Sequence, residues 1–95
     1  MTENFEIGTY LVASTAHITN IDNTYLTEYP ESSGLIIYHY EYGYWIHTNS
    51  NEFVSDGQLS IAFWNLLKLA KGQGCLFLKL DCDGPVYDSL STFIW

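Results

Sequence analysis

The sequence predicts an α+β fold: a four-stranded antiparallel sheet with two helices on one face and the last residues packed back. Three observations predict it. Glycine and proline divide the chain into six apolar-patterned blocks and a tail. The blocks read strand, helix, strand, strand, helix, strand, with one hairpin between two crossovers, and right-handed crossovers place both helices on the same side. Of the 95 residues, 47% are hydrophobic, enough for a packed core and for one domain spanning residues 1–95.

Ile7–Ser14 is rich in β-branched and aromatic residues and reads as the first strand. Thr19–Glu28 reads as a short helix. Thr19, with Asp22 three residues later, forms a capping box in which Asp stands in for the preferred Glu. The helix must end before Pro30. Leu35–Glu41 and Tyr44–Asn49 read as a hairpin about a two-residue turn, Tyr42-Gly43, with Gly43 supplying positive φ. Asn51–Gly57 is a loop, and Ser55 or Asp56 caps the helix Gln58–Lys71. That helix aligns Leu59, Ala62, Phe63, Leu66 and Ala70 on one face. Gly72 or Gly74 stops it. Cys75–Leu80 is a nearly all-apolar fourth strand, and Asp81–Pro85 has turn composition. The tail carries Leu90, Phe93, Ile94 and Trp95, which favours packing back over dangling. The order is the split plan of ferredoxin-like domains, β-α-β-β-α-β. Helices on one face leave the other face of the sheet open.

Alternation sorts the hairpin side chains. Leu35, Ile37, His39, Glu41, Tyr44, Ile46 and Thr48 share the helix-covered face. Ile36, Tyr38, Tyr40, Trp45 and His47 form an aromatic platform on the open face. Two readings stand: an interaction surface, since Tyr and Trp are favoured interface anchors, or an inner layer covered by Phe93 or Trp95. A one-residue bulge would swap the faces.

Charge narrows the partners. Eleven Asp and Glu stand against three lysines (Lys68, Lys71 and Lys79) and no Arg, for a net charge of −8. Phosphate recognition rests on Arg and Lys, so direct binding to nucleic acid or an anionic membrane is disfavoured. An acidic surface either keeps the chain soluble or steers it to basic proteins. No apolar run approaches the ~20 residues that span a bilayer, and no secretory leader precedes the first strand. If the segment between Cys75 and Cys82 is extended, their Cα atoms lie roughly 20 Å apart, too far for a disulfide. Two free thiols point to a reducing cytoplasm.

Candidate chemistry is sparse. His17 follows Ser14 and Thr15, but without a nucleophile-elbow motif or an orienting acid it reads as structural, bonding backbone at the strand-to-helix turn. His39 and His47 fall on opposite faces and cannot share a metal. Asp81, Asp83 and Asp88 resemble a fragment of a calcium loop that breaks at Gly84-Pro85. The expectation is therefore no enzyme, no cofactor and no metal.

Ser14–Ile18, Tyr40–Tyr44, Leu80–Pro85 and the closing Thr92–Trp95 resemble a small uncharacterised bacterial family found on plasmids, phages and integrated elements, beside antirestriction genes. The resemblance implies a setting and assigns no residue a role. With the charge, it leads to the expectation of a binding inhibitor of a host nucleic-acid-handling defence complex, of the anti-CRISPR or antirestriction type. Its partner would be a CRISPR effector subunit or a restriction enzyme. In that reading Tyr38, Tyr40 and Trp45 are anchors, and Glu41, Glu52, Asp81, Asp83 and Asp88 engage basic residues. The alternative is an interaction module of a mobile element, an antitoxin or a homo-oligomeric subunit, dimerising through the aromatic face.

Overall fold

The structure, a computed structural model, describes residues 7–28, 35–48 and 59–95. The elements are β1 (Tyr10–Ser14), a 3-10 turn (Thr15–His17), α1 (Asn20–Glu28), β2 (Ile37–Tyr40), β3 (Gly43–His47), α2 (Ile61–Gly72) and β4 (Phe77–Asp81). The chain order of strands and helices is as expected, and each strand is shorter than its apolar run.

The sheet corrects the expected plan. Its spatial order is β1-β4-β3-β2. β1 runs parallel to β4, while β4–β3 and β3–β2 are antiparallel, so the sheet is mixed and lacks the ferredoxin-like order. β4 occupies a central position. Its Leu78 and Leu80 are fully buried, which explains an almost wholly apolar strand.

One face of the sheet makes the core. Ala13, Tyr44, Ile46, Leu78 and Leu80 pack with Ile18 and Leu26 from the α1 side and with Phe63, Leu66, Leu67 and Ala70 of α2. Burying each large side chain stabilises the fold by about 1.5–3 kcal/mol. Both helices therefore cover the same face.

The helix starts are joined through one carboxylate. Thr19 N–H donates to Asp22 Oδ2 at 2.9 Å, and Asp22 N–H donates to Thr19 Oγ1 at 3.0 Å, completing the capping box. Ser60, not Ser55 or Asp56, caps α2, accepting from Phe63 N–H at 3.1 Å. Ser55 and Asp56 lie outside the described residues. Asp22 also accepts from Ser60 N–H at 2.7 Å and from Ser60 O–H at 2.6 Å. A fully buried acid is thus satisfied by donors at two helix N-termini, where negative charge is favoured. At the other end of α2, Gly74 takes φ +80, the left-handed conformation that terminates a helix.

The hairpin turn is Glu41-Tyr42, because Tyr40 pairs with Gly43. The expected register placed the turn one residue later and gave Gly43 positive φ; neither holds. Gly43 sits inside β3 opposite Asp81, where a Cβ would lie 1.8 Å from the Leu80 carbonyl oxygen. Its role is close approach between strands. The change moves each cross-strand partner by two residues, an even number, so the expected faces survive.

The tail lies along the outer edge of β1 and the 3-10 turn. Ser14 N–H donates to Pro85 O at 2.8 Å and Phe93 N–H to Ala16 O at 2.8 Å. Tyr87 O–H donates to Val12 O at 2.6 Å, and Trp95 Nε1–H to Ile18 O at 2.9 Å. It caps an edge that would otherwise offer unpaired backbone groups. It does not cross the aromatic platform, which corrects the reading that Phe93 or Trp95 covers those rings.

Candidate interaction surface

Register sets the open face in three rows across β1, β4, β3 and β2. The first is Tyr10, Phe77, His47 and Ile36; the second Val12, Lys79, Trp45 and Tyr38; the third Ser14, Asp81, Gly43 and Tyr40. Odd and even positions of each strand divide between core and open face, which is why the Tyr38, Tyr40 and Trp45 expected there are there.

The rings meet edge to face or tilted. Tyr10 and Trp45 lie 4.8 Å apart between centroids, Trp45 and Phe77 5.9 Å, and Tyr40 and Trp45 6.4 Å. Such contacts add to area burial and hold the rings in one mosaic. Tyr38 is 57% exposed and Tyr10 51% exposed. Tyr40, Trp45 and Phe77 between them are half-buried.

Lys79 sits at its centre. The ammonium lies 5.0 Å from the Trp45 ring, 5.5 Å from Tyr40 and 5.8 Å from Tyr10. Three rings thus share one cation of the chain itself. Sequence reasoning missed Tyr10, Phe77 and Lys79. The alternation of Cys75, Phe77 and Lys79 against Leu76, Leu78 and Leu80 was the available signal.

Gly43 leaves a gap that Tyr40 spans. Its hydroxyl donates to Asp81 Oδ2 at 2.6 Å across the bare glycine. This bond, then the Asp83 N–H on Oδ1 at 2.8 Å and the charge of Lys79, hold the Asp81 carboxyl below its ordinary range. The Tyr40 hydroxyl is pushed well above the usual tyrosine value, first by burial and then by the hydrogen bond to Asp81 and its charge.

The expected carboxylates divide. Ligand atoms of Asp81, Cys82 and Asp83 lie within 4.8 Å of one another, in an Asx turn after β4. Glu41 occupies the hairpin turn next to Tyr42 and lines a groove that also contains Cys82. Asp88 does not join this cluster. It follows Tyr87 on the tail segment that reaches the hollow beside α2. Glu52 lies outside the described residues.

His17 is buried and spent on the tail. Its Nδ1–H donates to Ser91 O at 2.7 Å, and Nε2 accepts from Tyr87 N–H at 2.9 Å. With both nitrogens bonded to backbone, the neutral ring has no free lone pair for proton abstraction. It bonds backbone as expected, but that of the tail. His39 donates to Leu26 O at 3.0 Å on the helix side, whereas His47 meets Phe77 edge to face at 5.0 Å between centroids on the open side. They do lie on opposite faces. Cys75 and Cys82 are free thiols. Among the described residues, no helix is long and apolar enough to cross a membrane.

The family described as a family of unknown function (DUF5983), C-terminal domain, matches residues 10–95. No curated protein and no solved structure matches the chain.

Proposed function

We propose, from the premise that the chain belongs to the DUF5983 C-terminal domain family, that it is a non-catalytic inhibitor of a nucleic-acid-handling defence complex. It acts by contact with a basic protein surface, as an anti-CRISPR or antirestriction protein does, in the cytoplasm of a bacterial host carrying a mobile element. The observation that carries the reading is the ring mosaic of exposed Tyr10 and Tyr38 about a half-buried Trp45, bordered at one end by Asp81, Asp83 and Glu41. The net charge of −8 supports a basic protein over nucleic acid as partner. The rings supply anchor area, and the carboxylates take the place of phosphates on the partner's cations.

A second reading, a self-associating subunit or antitoxin, draws on the same face. It carries both Lys79 and Asp81, so a two-fold pairing can set opposite charges against each other.

The test is target-DNA binding by a purified CRISPR effector or restriction enzyme, with and without the chain. Inhibition that is lost in Trp45→Ser and in Asp83→Lys is the expected result. Tight binding of the chain itself to duplex or single-stranded DNA at physiological salt would overturn it. A stable dimer that dissociates in Trp45→Ser, with no effect on either enzyme, supports the second reading.

A further inference from the structure

A groove outside the aromatic face deepens this reading, on which it rests. Two hollows, of about 410 Å³ and 300 Å³, share Thr15, Cys82 and Trp95 and so form one continuous depression. Thr15 follows the last residue of β1 and Cys82 the last of β4. The depression therefore lies outside the carboxyl ends of the parallel strand pair, the usual position for a ligand on an open sheet. The hairpin turn contributes Glu41 and Tyr42 to the same wall.

Its chemistry is one-sided. Tyr42 is 48% exposed and Trp95 49% exposed, so two half-open rings flank it. Glu41 lines it, and the Asp81 and Asp83 carboxylates lie within 4.8 Å of the Cys82 sulfur that also lines it. None of the three lysines does: Lys79 is on the open face above its rings, and Lys68 and Lys71 are on α2. The aromatic mosaic is the poorer host for a foreign cation, because Lys79 already occupies the space over Trp45, Tyr40 and Tyr10.

We propose that this groove receives an arginine side chain of the basic partner, its guanidinium against the Tyr42 and Trp95 rings and its N–H groups toward Glu41, the carboxylate that lines the groove. Arginine fits better than lysine because a planar guanidinium stacks on a ring while donating in its own plane to carboxylates. The open face then supplies aromatic anchor area, and the groove supplies the cation site.

A short peptide of alternating glycine and arginine, titrated into the labelled protein and followed by amide and indole NMR, tests this. The Trp95 indole and the Tyr42 and Cys82 amides should shift. The same peptide with citrulline for arginine should bind about tenfold more weakly, having lost its charge-assisted hydrogen bonds. Tyr42→Leu and Glu41→Gln, both at exposed turn positions, should each weaken the arginine peptide about two- to fivefold. Equal binding of the citrulline peptide overturns the proposal. Shifts confined to Trp45 and Tyr38 overturn the groove but leave a basic partner on the open face. No shift on either surface removes both.

Discussion

Replacing Asp22 with alanine should unfold much of what joins the two helices. The carboxylate is fully buried and accepts from Thr19 N–H, Ser60 N–H and Ser60 O–H. Alanine leaves those donors without an acceptor, at about 1–3 kcal/mol for each that stays buried. The Ser60 hydroxyl can rotate, and removing the acid also removes its own desolvation cost. Two stranded amides then set the scale, and the expected loss is about 3–4 kcal/mol. For a chain this short that is a large part of a typical stability of roughly 5–15 kcal/mol. The midpoint of thermal unfolding should fall by about 12–32 °C. Urea unfolding followed by far-UV circular dichroism measures it, and Asp22→Asn, which keeps one acceptor oxygen, should lose about half as much. A double-mutant cycle with Ser60→Ala should show about 1–3 kcal/mol of coupling. A loss below about 1 kcal/mol for the alanine variant, with no coupling to Ser60, would refute the account of a carboxylate tying two helix caps together.

Three further outcomes follow from the same geometry. Asp81 has its folded-state pKa depressed, so its contribution is complete above the unfolded carboxylate value of about 3.9 and is lost as pH falls through the folded value. Removing the Tyr40 donor by Tyr40→Phe should therefore destabilise at neutral pH and progressively less in acid. In alkali the raised Tyr40 pKa makes wild-type stability fall above about pH 10, and the variant should lack that limb; parallel curves would count against the bond. Gly43→Ala should cost about 2 kcal/mol or more in chemical denaturation, because the new Cβ meets the Leu80 carbonyl. A neutral result would show that β3 and β4 are not so close. His17→Leu removes two of the bonds that hold the tail, those to Ser91 and Tyr87, and amide exchange at Tyr87 should speed up well before global unfolding. Unchanged protection at Tyr87 would mean that the tail is held elsewhere.

Much of the candidate surface was legible because it depends on parity. Tyr38, Tyr40 and Trp45 reached the open face although the turn moved, since an antiparallel slip of two residues leaves every side chain on its own side. The Thr19–Asp22 capping box and the Leu59–Ala70 stripe are likewise local patterns, and both appear in the fold. Ser60 was not recognisable as a cap, because the carboxylate that orders it comes from the other helix.

The sequence by itself determined which blocks extend or coil, which side chains share a face, and a net charge of −8. Those properties arise from neighbours a few residues apart or from a sum over the chain. Only the tertiary structure decided that β4 enters between β1 and β3, that Lys79 stands among three rings, and that Trp95 and Tyr42 flank one groove. Each joins segments brought together by global packing, in which buried area and backbone pairing summed over the whole sheet outweigh any local preference.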